Sequence, residues 1–196
     1  MKIIPEEFQL NKLSLRDLKL RRKFVTNYTW AIPSWRAIHE IVQFAGNDLI
    51  TEVGAGRGYW AMLIAHYKGR IRCFDLKKGP NRYFGNDENW DCPVDENFKT
   101  FYKVRFFDSQ IELEYAIAGS NLLMFCWPEW DLPWAFEYLN DIFPDKVIYI
   151  GEWKGGCCAD SQFFEYLDEN YEVQKIIQIP RWSGIKDDLR FFKRTN

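Results

Sequence analysis

The spacing of hydrophobic positions changes near Asp48. Before it, apolar residues recur at helical intervals. Ser14 followed by Asp17 is a capping pattern that predicts the start of a first helix. Pro33-Ser34 predicts the start of a second helix, and Gly46 can end it. After it, short apolar runs alternate with helical stretches, as in α/β proteins. The predicted strands are 49–53, 70–74, 102–107, 121–126, 146–150, 172–179 and 189–193, and the predicted helices between them are 58–67, 110–118, 132–143 and 161–170.

Strands that alternate with helices imply right-handed crossovers between parallel strands, with helices on both faces of the sheet. The last two strands are joined only by "PRWSGIKDD", which makes them an antiparallel hairpin. We therefore expect a doubly wound α/β fold with a seven-stranded, mostly parallel sheet and a terminal antiparallel hairpin, preceded by N-terminal helices. One link departs from the pattern: residues 77–99 are polar and lack a helical period, which is typical of a functional loop or of a simple insertion.

Length and composition narrow the class of protein. The 196 residues, 47% hydrophobic and 28% charged, fit one globular domain over 1–196, with a helical extension over 1–46 and the α/β core over 47–196.

A net charge of -2 argues against a protein that coats nucleic acid, although the basic segment 16–23 leaves a local nucleic-acid contact open. Five cysteines without a CxxC pair and two histidines predict no metal site and a reduced, cytoplasmic setting. No apolar run is long enough to predict a membrane span.

The stretch "ITEVGAGRGYW" joins the first predicted strand of the sheet to the helix after it. Its three glycines, Gly54, Gly56 and Gly58, indicate close approach to the backbone, and the first strand-to-helix turn of an open α/β sheet lines the ligand crevice. The dinucleotide pattern G-x-G-x-x-A is satisfied from Gly56 to Ala61, but that register gives Glu52 and Gly54 no role. The pattern E-x-G-x-G-x-G, starting at Glu52, uses all four residues.

This second pattern resembles motif I of the class I S-adenosylmethionine-dependent methyltransferases, a Rossmann-like superfamily whose sheet has seven strands and a terminal hairpin. The resemblance implies S-adenosylmethionine as the cofactor, held by Glu52 and the glycine loop. Asp75 stands 23 positions after Glu52, where the family's acidic residue holds the ribose hydroxyls. Asp108 ends the third strand, where the family often contacts the adenine; capping of the next helix is the alternative.

The segments "YTWAIP", "CWPEW" and "GEWKGGC" are similar to those of a narrower group in this superfamily with a CWPPY-like motif IV. In the amino-methylating members the first residue of D/N-P-P-Y/F accepts a hydrogen bond from the target amine, whereas Trp127 stands there and can only donate. Glu129 and Glu152 are then the candidates for orienting an acceptor or taking its proton, unless they are solvated loop acids. Trp130 and Trp153 are candidates for stacking on a substrate, with core packing as the alternative.

Three functions follow from these patterns. The first is an S-adenosylmethionine-dependent methyltransferase with a small molecule or a side chain as the methyl acceptor, and with Trp127, Glu129 and Glu152 at the reacting group. The second is a non-catalytic module that keeps the fold and binds a protein or nucleic-acid partner through the N-terminal helices. The third is a nicotinamide-dependent oxidoreductase, which the Gly56 register of the glycine loop would allow.

Overall fold

The computed structural model of the chain describes residues 15–77 and 99–195. Ser14 and all but the two ends of the segment 77–99 therefore lie outside the described residues. In chain order the elements are α1 (Leu15–Asn27), α2 (Trp35–Ala45), β1 (Ile50–Val53), α3 (Tyr59–His66), β2 (Ile71–Leu76), β3 (Val104–Phe107), α4 (Gln110–Ile117), β4 (Leu122–Cys126), α5 (Trp134–Ile142), β5 (Lys146–Glu152), α6 (Ser161–Asn170), β6 (Tyr171–Gln178) and β7 (Asp187–Arg194).

The seven strands form one sheet in the order β3-β2-β1-β4-β5-β7-β6. The first five strands pair in parallel, and β7 runs antiparallel to both β5 and β6. Strands β1, β4 and β5 are buried along nearly their whole length, as expected of central strands with helices on both faces. The predicted fold class is therefore confirmed, and none of the helices in 15–77 and 99–195 is long and apolar enough to cross a membrane.

The second helix begins and ends at the predicted residues. The Ser34 hydroxyl accepts a hydrogen bond from the Ala37 N–H at 3.2 Å, which satisfies one of the free N–H groups of the first turn. Gly46 follows the last residue of α2 with φ of +58°, and its N–H donates to the carbonyl of Val42. A left-handed residue in this place suits glycine, because it has no Cβ.

Helix α1 lies beside the loop that joins β6 and β7. Its Phe24 packs with Ile32 and with Trp182 of that loop in a small cluster, separate from the main core, in which each of the three is at most 5% exposed. The ring of Tyr28, just after α1, contacts Tyr59 at the start of α3, with the ring centroids 5.2 Å apart. These contacts hold α1 at the edge of the sheet where the parallel strands end.

Candidate functional site

The parallel strands end at one edge of the sheet, where β1 and β4 lie side by side. Chain order reverses at this pair, since β2 and β3 lie on one side of β1 while β5 lies beyond β4. In open α/β sheets, ligands bind at such a switch point. The glycine loop follows β1, Asp75 lies near the end of β2, and "CWPEW" follows β4.

All three glycines of the loop have positive φ, at +71°, +53° and +69° for Gly54, Gly56 and Gly58. A Cβ on Gly54 would lie 3.0 Å from the ring of Trp134, and one on Gly58 would lie 3.0 Å from Cγ2 of Val104. A Cβ on Gly56 meets no described atom within 4 Å. Packing therefore accounts for Gly54 and Gly58, whereas the residues in 15–77 and 99–195 leave open space beside Gly56.

Asp75 ties the end of β2 to the glycine loop. Its Oδ2 accepts a hydrogen bond from the Gly56 N–H at 2.5 Å, and its Oδ1 accepts one from the Leu76 N–H at 2.7 Å. Burial and, to a smaller extent, the charge of Glu129 raise the pKa of Asp75 to about 7, against the opposing effect of these hydrogen bonds. The side chain predicted to bind the ribose is thus oriented by a hydrogen bond from the glycine loop.

Glu52 lies in β1 directly opposite Cys73 of β2 and is 2% exposed. Its Oε2 accepts a hydrogen bond from the Cys73 thiol at 3.5 Å, the bond length expected for sulfur. Burial raises the pKa of Glu52 to about 8, and the nearby charge of Asp75 acts in the same direction. This residue is a buried acid within the sheet, next to the glycine loop.

Glu129 adds a third carboxyl group to this part of the site. The residue as a whole is exposed, but its Oε2 accepts a hydrogen bond from Trp134 Nε1 at 2.7 Å, so the carboxylate turns inward. Burial of the carboxylate raises the pKa of Glu129. Glu129 raises the pKa of Asp75, and Asp75 raises that of Glu52, so the three acids interact through their charges.

Asp108 lies after β3 and makes contacts of its own. It forms an ion pair with Lys77 at 2.7 Å, and its side chain is 72% exposed. The next residue, Ser109, caps α4 by accepting a hydrogen bond from the Glu112 N–H. The helix cap is therefore Ser109, and the predicted adenine contact of Asp108 stays a prediction.

Trp127 is the first residue after β4 and is buried, with φ of +55°. Its ring stacks on Trp30, with centroids 4.9 Å apart and planes 12° apart. Its Nε1 donates a hydrogen bond to Oδ1 of Asp187 at 2.8 Å. The residue in the motif IV position is thus a donor that holds a carboxylate.

Asp187 was missed by the sequence prediction, which placed it in the loop before the last strand. In the structure it begins β7 and pairs with Glu152 at the end of β5, which brings it to the edge where the parallel strands end. It is fully buried, and burial raises its pKa to about 7 against the opposing hydrogen bond from Trp127. The only sequence signal was the pair of adjacent acids, Asp187 and Asp188, after a turn.

Glu152 holds two loops together. Its Oε2 accepts from the Cys157 N–H at 3.0 Å, and its Oε1 accepts from the Lys186 N–H at 2.8 Å. Gly156 passes so close that a Cβ on it would lie 2.2 Å from Cβ of Glu152. Both carboxylate oxygens therefore accept hydrogen bonds from backbone N–H groups, and the catalytic role of Glu152 stays a prediction.

The two remaining tryptophans of the prediction have different surroundings. Trp153 packs against β7 and α6, with the Arg190 guanidinium 4.2 Å from its ring centroid and the ring of Phe164 at 4.9 Å. Trp130 is half exposed, at 50%, in the loop between β4 and α5. The substrate contacts predicted for both residues stay predictions.

Comparison with known proteins gives structural matches but no sequence family. No protein-family model matches this chain, and no curated protein sequence matches it either. An O-methyltransferase from Bacillus cereus in complex with S-adenosylhomocysteine (SAH) is similar to it, with a TM-score of 0.53 and 13% identity over 92% of this chain and 90% of that one. An O-methyltransferase family protein from Burkholderia thailandensis is similar with a TM-score of 0.53 and 11% identity over 92% of this chain, which spans 60% of that protein. The resemblance that motif I indicates is therefore confirmed for the fold: this chain has the α/β fold of these O-methyltransferases.

Proposed function

We propose that this chain is an S-adenosylmethionine-dependent methyltransferase whose cofactor binds over Gly56, at the edge of the sheet where β1 and β4 end. The space that the described part of the chain leaves beside Gly56 is the observation that carries the proposal. Gly54 and Gly58 are explained by contacts with Trp134 and Val104, but a left-handed glycine facing open space at a switch point is explained by a ligand that approaches the backbone.

The residues around Gly56 fit this cofactor. The Asp75 carboxylate accepts two backbone hydrogen bonds and keeps further lone pairs, so it can also accept from the two ribose hydroxyls. The acids Glu52, Asp75 and Glu129 suit a cofactor that carries a sulfonium and an ammonium group. Asp108 would reach the adenine only by leaving its ion pair with Lys77.

When bound, S-adenosylmethionine supplies a methyl group that is already activated on a sulfonium centre. The protein then has to position the acceptor, exclude water and receive a proton. Of the predicted acids, Glu129 is better suited to receive it than Glu152, because the carboxylate of Glu152 is engaged at both oxygens by backbone N–H groups. Trp130 has the exposure that a substrate contact requires.

Calorimetric titration with S-adenosylmethionine tests the cofactor site, using Gly56→Leu and a matched control, Gly119→Leu. Gly119 also has positive φ, at +70°, and open space beside it, but it lies before β4, at the opposite edge of the sheet. Both variants carry the same backbone strain, about 1–2 kcal/mol. We expect Gly119→Leu to bind the cofactor as the wild type does and Gly56→Leu to bind at least about tenfold more weakly, because the leucine fills the ligand's space.

Two results would contradict the proposal. One is a wild-type chain that does not bind S-adenosylmethionine, and the other is equal binding by Gly56→Leu and Gly119→Leu. Competition by reduced nicotinamide dinucleotide distinguishes the oxidoreductase alternative, since only that function requires the dinucleotide to bind at this site.

A further inference from the structure

Two charged side chains beside Trp127 carry buried atoms without hydrogen-bond partners. They are Oδ2 of Asp187 and Nε of Arg21; in the described part of the chain the other such side-chain atoms are two indole nitrogens, of Trp60 and Trp182. A buried polar atom left unpaired costs about 1–3 kcal/mol, more where the group is charged. Such atoms are rare in native proteins, and an unpaired acceptor and an unpaired donor in one place indicate a ligand that bonds to both.

The orientation of Asp187 is fixed from two directions. Trp127 donates to its Oδ1 at 2.8 Å, and the Arg181 side chain donates to its backbone carbonyl at 2.6 Å. The side chain is fully buried, and no described residue donates a hydrogen bond to its Oδ2. The Trp127 bond therefore satisfies one carboxylate oxygen, the Arg181 bond holds the backbone of the residue, and the second carboxylate oxygen is left to accept a hydrogen bond.

Arg21 brings the unpaired donor from helix α1. Its guanidinium carbon lies 5.8 Å from the ring centroid of Trp127 and 6.0 Å from that of Trp30, whose rings stack on each other. Burial lowers the pKa of Arg21, and the charges of Asp187 and Glu152 oppose that effect. Arg21 and Asp187 thus interact through their charges but have no hydrogen bond that joins them.

We propose that Arg21 and Asp187 together recognise the methyl acceptor, and that this acceptor carries an N–H donor beside a hydrogen-bond acceptor on a planar group. A primary carboxamide and an amino-substituted nitrogen heterocycle have this chemistry. The N–H donates to Oδ2 of Asp187, the neighbouring oxygen or ring nitrogen accepts from Nε of Arg21, and the indole pair offers a flat wall. This assignment rests on the proposed function, which makes the edge beside β4 the place of the methyl acceptor.

The charges of the two side chains select a neutral group. Asp187 and Arg21 already balance each other, so a bound carboxylate would face the charge of Asp187 and a bound ammonium would face that of Arg21. The site also explains Trp127, which cannot accept a hydrogen bond from a target group. Trp127 instead positions Asp187 of β7, and that residue provides the acceptor that the motif IV position lacks.

Benzamide tests this site, with methyl benzoate as a matched probe that keeps the ring and the carbonyl but has no N–H. Each is titrated into protein saturated with SAH at about pH 8.5, where the Asp187 carboxylate is ionised. Chemical shifts of the indole N–H protons report binding. We expect benzamide to bind the wild type at least about tenfold more tightly than methyl benzoate.

Asp187→Asn reverses the polarity of the free position. Trp127 Nε1 can only donate, so it bonds to the amide oxygen of the asparagine and leaves the NH₂ group where Oδ2 was. The N–H group of benzamide would then face the NH₂ group of the asparagine, and two donors cannot form a hydrogen bond with each other. We expect this variant to bind benzamide at least about tenfold more weakly than the wild type does, and to bind methyl benzoate with unchanged affinity. The control is Asp168→Asn, which changes an exposed acid that pairs with Lys154.

Equal affinity for the two probes in the wild type, or equal loss of benzamide binding in Asp187→Asn and Asp168→Asn, would overturn the assignment. If Asp187→Asn does not fold, Trp127→Phe removes the donor that holds the carboxylate, and unchanged benzamide affinity in that variant would overturn it too. SAH is titrated separately, and the two probes are also titrated without SAH: a chain that binds benzamide selectively but does not bind SAH keeps this site and loses the methyltransferase function. A chain that binds SAH but does not prefer benzamide keeps the function and loses this site.

Discussion

Replacing Glu52 with glutamine tests whether the buried acid of β1 destabilises the folded chain when it ionises. Burial raises the pKa of Glu52 in the folded chain from the ordinary value of 4.5 to about 8. A folded state with the higher pKa holds the proton more tightly than the unfolded state does, so the free energy of unfolding falls as the pH rises between these values. Below 4.5 Glu52 is protonated in both states and imposes no such cost.

The size of the effect follows from the same interval. The difference between 4.5 and about 8 corresponds to about 5 kcal/mol at about 1.4 kcal/mol per pH unit, an upper value because water and small movements lessen the cost of the buried charge. Glutamine keeps the shape and can still accept the hydrogen bond from the Cys73 thiol, but it cannot ionise. Its buried NH₂ group adds a cost of about 1–3 kcal/mol that does not vary with pH.

Urea unfolding of the wild type and Glu52→Gln at a series of pH values between about 4 and 9 measures the difference. We expect the stability of Glu52→Gln relative to the wild type to rise by several kcal/mol, about 3–5, across that range. Asp187 titrates in both proteins and cancels in the comparison, whereas Asp75 is coupled to Glu52 and contributes to the measured difference. Glu169→Gln, an exposed position in α6, is the control and should run parallel to the wild type. A difference between wild type and Glu52→Gln that stays constant with pH would refute the reasoning.

Three further results are expected. Gly58→Ala should lower the free energy of unfolding by about 2–4 kcal/mol in urea, because it adds left-handed strain and a Cβ 3.0 Å from Val104; no loss would show that the loop adjusts. Ser34→Ala should cost about 1 kcal/mol and lower the Tm, since the cap on the Ala37 N–H is lost. Binding of the cationic cofactor should release protons near pH 7 from Asp75, whose pKa is raised to about 7; equal calorimetric heats in buffers of different ionisation enthalpy would contradict this.

The fold could be predicted because a local sequence pattern indicates each helix and strand. The apolar runs and their helical partners mark the strands, and the short link between the last two strands leaves only a hairpin. The predicted bounds fall within two residues of the observed ones for most elements, and α6 was predicted without error, as 161–170. Ser34 caps the start of the second helix and Gly46 caps its end, as predicted, because a helix cap depends only on residues that are near in sequence.

The candidate site could be predicted only where its residues lie close together in the sequence. Glu52 and the glycines lie within a few residues of each other, but the sequence could not separate the glycines that packing requires from the one that faces open space. That distinction depends on Trp134 and Val104, which reach the loop from α5 and β3. Glu152 shows the same limit, because in sequence it is an acid after a strand, whereas its partner Lys186 comes from a distant loop.

Under the proposed function, Asp187 and Trp127 would be a case in which a motif keeps its place in the fold while its hydrogen-bond acceptor comes from another strand. A tryptophan at the motif IV position leaves no hydrogen-bond acceptor there, and from the sequence this looks like the loss of a functional group. The register between β5 and β7 places a carboxylate within reach of the indole N–H, 2.8 Å away and 60 positions along the chain. The tryptophan donor and the aspartate acceptor are therefore better understood as one unit: the first fixes the second, and the second keeps a free oxygen at the edge where a substrate would bind. Neither residue has that meaning alone, and only strand pairing brings them together.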